Sequence, residues 1–178
     1  MENKVSVWKA NLNSGIILGL IGVVYTLIMW FLDLTLAQWQ GIIFLVILVV
    51  AIFLGIKSYR DNYRQGFITY GQSLGAGVVI MLYYSIITAI FAYILYGIID
   101  PGLVDKMLAQ SEQTLLDRGL SEGMIEQSMS MTKKFMVDWV ISITSIFNSM
   151  LMGTIIALIV SIFTRKEGNP LIDDSIEE

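Results

Sequence analysis

Five hydroxyl and amide side chains stand deep inside apolar sequence: Tyr25, Tyr84, Thr88, Ser145 and Asn148. If the spans that carry them run over residues 12–32, 74–97 and 139–163, their midpoints fall near residues 22, 85 and 151. Tyr25, Thr88 and Asn148 then share one depth, about 4–5 Å to one side of the midplane at 1.5 Å per residue. At helical spacing, Gly77, Met81, Tyr84 and Thr88 lie on one face, and Asp138, Ser142, Ser145, Asn148 and Ser149 lie on another. Polar groups in hydrocarbon need partners, so these faces are expected to turn toward each other. The ordinary outcome is hydrogen bonding between helices. The sharper one is a small hydrated pocket that takes a ligand.

Other chemistry is thin. The chain has no cysteine and no histidine, which closes disulfides, thiol catalysis, imidazole-based triads and histidine-bound metal sites. No metal or cofactor is expected. Asp33, Asp100 and Asp138 flank apolar runs, where caps at the membrane surface are the ordinary role for carboxylates. No charged residue lies in the middle of a run, which argues against proton relays and ion-coupled carriers. Five methionines, Met107, Met124, Met129, Met131 and Met136, fall in one polar segment. Only Met129 and Met131 are closely grouped, so packing explains them better than a soft metal. The reading is of a non-enzyme.

These residues need elements to hold them. Of 178 residues, 56% are hydrophobic and 15% charged, well below the roughly 25% charged of soluble domains. Mean hydropathy is +0.72. The apolar residues gather into four runs, about 12–32, 41–56, 70–99 and 139–163, each long enough to approach or cross a hydrocarbon core roughly 30 Å thick. The sequence therefore predicts an all-α polytopic membrane protein, a single four-helix transmembrane domain over residues 1–178. An extracytoplasmic amphipathic helical pair stands between the third and fourth spans, over residues 101–137. Within it, Val104, Met107, Leu108, Leu115 and Leu116 make one apolar stripe. Met124, Ile125, Met129, Thr132 and Phe135 make a second, after Gly119, a Ser121 N-cap and Gly123. Asp100 and Pro101 are placed to end one helix and cap the next. With no breaker before Gly153, the second amphipathic piece is expected to run straight into the last span. The acidic tail, 167–178, is expected to be disordered.

Between the second and third runs, Lys57, Arg60 and Arg64 form a basic hinge. With Lys4, Lys9, Arg165 and Lys166 they put seven bases on one side, against four in the long second loop and none in the first. This bias sets the topology, with hinge and both termini cytoplasmic. Gly15, Gly19 and Gly22 line the first span, and Gly71, Gly75 and Gly77 open the third. Small residues at this spacing allow close helix approach within the chain or in a homo-oligomer. A net charge of −4 gives no case for nucleic acid. Expected partners are membrane lipids, a possible second copy, and a protein meeting the helical pair.

The layout resembles the bacterial membrane proteins grouped as domain of unknown function 4199. The likeness rests on Trp8 and Gly15, on the passage from Tyr63 through Arg64, Gly66, Tyr70 and Gly71 to Gln72, on the Asp100-Pro101 break, and on the Met/Glu/Gln-rich insert. It implies a four-helix inner-membrane protein with no assigned activity and no functional residues to transfer. An interaction or scaffold role through the helical pair is the first expectation. An oligomeric pore lined by Tyr25, Tyr84, Thr88 and Asn148 is the alternative.

Overall fold

The computed structural model describes residues 5–167; the expected disordered tail lies almost wholly outside them. Six α-helices follow in order: α1 Val7–Phe31, α2 Gln40–Tyr63, α3 Tyr70–Ile94, α4 Gly102–Asp117, α5 Glu122–Phe135 and α6 Asp138–Thr164. A wide turn over Leu95–Ile99 continues α3, its i to i+5 pattern closed by the Asp100 amide donating to the Leu95 carbonyl at 2.8 Å. Four of these helices are long and apolar enough to cross a membrane: α1, α2, Tyr70–Ile99 and α6. The chain is a multi-pass helical membrane protein.

The central helix is α3, packed along α1 on one side and α6 on the other, with α2 lying against all three. Directions follow from which residues meet. Gly15 sits against Tyr83 and Gly19 against Ile87, so α1 and α3 run parallel. Gly77 meets Ala157 while Gly153 meets Met81, so α3 and α6 run antiparallel. Ile52, Ile56, Ala76, Ile80 and Met81 fill the centre, each at most 1% exposed. The end of the bundle holding the α2–α3 connection and the close of α6 is called the hinge end, and the opposite one the insert end.

Three expectations need correction. The second span is longer than 41–56, since α2 continues to Tyr63. Lys57 and Arg60 are thus helical, Arg60 in the last turn where the negative end of the helix dipole favours a base, and the connection shrinks to residues 64–69. Gln65 and Gly66 turn it, at φ 52° and 83°. Second, α5 and α6 are not one rod: Met136 and an extended Val137 (φ −112°, ψ 139°) separate them. A straight rod would lift Ile125 and Met129 off α4, whereas the break lets both be buried while α6 enters the bundle. Third, the Asp100 carboxylate does not cap α4. It accepts the indole N–H of Trp30 at 3.1 Å, tying the end of α3 to α1.

The start of α3 carries a cap that the sequence reading did not anticipate. Thr69 and Gln72 form a reciprocal capping box, each side chain bonded to the other's backbone amide.

Candidate functional site

The five polar residues of the spans are not all brought together. Tyr25 donates to the carbonyl of Gln40 at 2.7 Å, closing the α1–α2 connection. Tyr84 is buried, and its ring stacks on Phe44 at 6.1 Å; Phe44 in turn lies 4.9 Å from the Tyr25 ring. Thr88 lies beside Gly22 and donates to the Tyr84 carbonyl of its own helix at 3.0 Å. So Tyr25, Tyr84 and Thr88 do meet at the α1–α2–α3 junction, but Phe44 fills the space between them. Ser145 bonds back to the Ser142 carbonyl at 2.7 Å. Asn148 is exposed and makes no hydrogen bond. It faces away from Tyr84, because the buried face of α6 runs instead through Ser142, Gly153, Ile156 and Val160.

The two glycine groups behave differently. A Cβ on Gly19 would stand 2.7 Å from Ile87, and one on Gly77 would stand 2.7 Å from the Cβ of Ala157. Gly15 and Gly22 are equally hemmed in by Tyr83 and Tyr84. Around Gly71 and Gly75 nothing lies within 4 Å. These two do not pack α3 within the chain, because Ser73, Ala76 and Gly77 carry its buried face there.

At the hinge end, bases and hydroxyls bind the elements together. Arg64 donates to the Tyr59 hydroxyl at 2.9 Å. Arg60 pairs with Asp61 at 2.7 Å and reaches the Thr164 carbonyl at 3.4 Å. Ser73 and Thr164, both fully buried, share a 2.6 Å hydrogen bond. Ile68 and Lys166 exchange backbone hydrogen bonds as a single antiparallel bridge, at 2.8 and 3.0 Å. Lys57 is exposed. Nothing in the spacing of the sequence pointed to the Ser73–Thr164 pair, since its members are 91 residues apart.

The insert end holds a surface groove. The α4–α5 pair is fixed to the bundle by Leu103 (2% exposed), by Gln110 donating to the Leu36 carbonyl at 3.2 Å, and by Lys106 near Asp33 at 3.7 Å. Gly119, at φ 72°, turns the chain between the two helices. Residues of α4 and α5 line a groove of about 610 Å³. Leu116, Ile125 and Met129 form its apolar lining, with Glu112, Glu122, Glu126 and Lys133 around them. The sequence showed both amphipathic stripes. It did not show that Glu112 of α4 and Glu122 and Glu126 of α5 line the same groove. Among the described residues no group of three or more acids is arranged to hold a metal ion.

No curated protein and no solved structure matches the chain. The model of the family described as "Protein of unknown function (DUF4199)" matches residues 13–166. That match runs from within α1 past the end of α6 and takes in the insert, and the chain belongs to this family.

Proposed function

We propose that the chain is a bacterial inner-membrane protein that works by contact with another protein, its bundle anchoring the α4–α5 pair outside the cytoplasm. The observation that carries this reading is the insert groove, with its apolar lining and glutamate rim. Such a surface suits a partner segment with apolar side chains and nearby cations, because the buried contact supplies affinity and the charges supply register. Orientation is supported by the bases Lys9, Lys57, Arg60, Arg64, Arg165 and Lys166 at the hinge end, since short basic loops stay in the cytoplasm. Acids outnumber bases in the insert, which disfavours lying flat on an anionic leaflet. The role is non-catalytic, needs no cofactor, and has lipid as its surrounding medium.

Solute permeation through an oligomer has weaker support, because the residues that would line the path are dispersed and Phe44 occupies the place where three of them meet. Co-purification from native membranes at low detergent tests the main reading. The double variant Glu122→Lys, Glu126→Lys should lose the bound protein while inserting at normal yield, as should a chain lacking residues 103–135. Retention of every bound protein by both variants, or solute flux in vesicles containing only this chain, would overturn it.

A further inference from the structure

Asn148 breaks the rule that the rest of the bundle's lipid-facing surface obeys. In the middle third of each span, the exposed side chains are otherwise apolar: Ile17, Leu20 and Ile21 on α1, Val49, Val50, Phe53 and Leu54 on α2, Ile86 on α3. On α6 the neighbours of Asn148 are Phe147 at 70% and Leu151 at 65% exposed. Asn148 is itself exposed and has no hydrogen bond. It lies ten residues into α6, roughly 15 Å along the axis. That depth is beyond the reach of so short a side chain to either membrane surface. Its amide offers two N–H donors and one carbonyl acceptor, and hydrocarbon satisfies none of them. Thr144, one turn toward the insert end, is exposed on the same face and likewise makes no hydrogen bond.

We propose that this face of α6 is where a second copy of the chain packs, with Asn148 bonded to Asn148 across a twofold axis along the membrane normal. Two features select a second copy. A primary amide is self-complementary, so two identical groups each donate one N–H and accept one. Two copies inserted in the same orientation also bring residue 148 to the same depth on both sides of the axis, as an isologous contact requires. Within the chain, α6 packs on α3 and α2, leaving this lateral face uncovered. The contact is independent of the insert groove and does not rest on the partner proposed there.

The test uses the purified chain alone in lipid vesicles, labelled at a single engineered cysteine. The absence of native cysteine makes Gln113→Cys, in the exposed part of α4, a clean attachment point. Fluorescence transfer between copies, measured as the chain is diluted in lipid, should report a dimer. Asn148→Leu should raise its dissociation constant roughly tenfold, whereas Asn148→Gln should keep it near the parent value. Because leucine replaces an exposed amide in an apolar surface, folded yield should hold, and circular dichroism checks it. As a second readout, Leu151→Cys should cross-link under oxidation and Leu20→Cys, on the exposed face of α1, should not. A monomeric parent chain, a dimer indifferent to Asn148→Leu, or cross-linking at Leu20→Cys but not Leu151→Cys would overturn the proposal.

Discussion

At the scale of single residues, the bundle separates glycines that are needed from glycines that are not. Gly77→Val would drive a side chain into Ala157, whose Cβ is only 2.7 Å from the added atom. Overpacking of this kind costs about 1–3 kcal/mol. Gly75→Ala meets nothing within 4 Å, and alanine in a helix is favoured over glycine by about 0.5–1 kcal/mol. Denaturant unfolding in detergent should therefore show opposite signs for two glycines only two positions apart. The sequence displayed the small-residue spacing of Gly71, Gly75 and Gly77 but could not say which face of α3 the neighbours occupy. The same gap explains Asn148. Spans that are apolar all round carry little directional signal, so helical spacing grouped Asn148 with Ser142 and Ser145, while packing against α3 chose a buried face that excludes it. Phe44 was equally invisible, as one aromatic in an apolar run, although its ring separates Tyr25 from Tyr84.

At the scale of elements, the four spans and the two amphipathic helices, in their order, were legible because each rests on a local property. Length in apolar residues marks a span, and apolar stripes mark α4 and α5. The α5–α6 break was not legible, since no proline or glycine causes it; the need to bury Ile125 and Met129 against α4 does. The α3–α4 junction depends on a contact equally hidden from the sequence, the Trp30 indole on Asp100, 70 residues apart. Trp30→Phe keeps the ring in place and removes the donor. A hydrogen bond to a charged group contributes about 1.5–3 kcal/mol, and this one is partly exposed, so a loss of about 1 kcal/mol is expected. Amide hydrogen exchange over Leu95–Gly102 should quicken roughly fivefold while the centre of α3 is unchanged. Equal exchange in both proteins would assign the junction's order to the buried Leu95 and Leu103 instead.

At the scale of the whole molecule, charge is divided between the two ends. The hinge end carries six bases against Asp61 and Glu167 among the described residues, and the insert end carries Lys106, Arg118, Lys133 and Lys134 against eight acids. The proposed orientation turns this division into a labelling experiment. Asn62→Cys should resist a membrane-impermeant maleimide applied to intact cells, and Gln113→Cys should react. The reverse pattern would place the insert in the cytoplasm and remove the partner proposed for it.

The two ends are also joined mechanically. The struts that carry the insert, α3 and α6, are the same helices fastened at the opposite end by Ser73 with Thr164 and by the Ile68–Lys166 bridge. Between those fastenings, Gly77 against Ala157 and Gly153 against Met81 interlock the pair like teeth. Sliding one helix along the other would have to disengage these contacts. Under the proposed function, such a framework would hold the α4–α5 pair at a fixed height above the membrane.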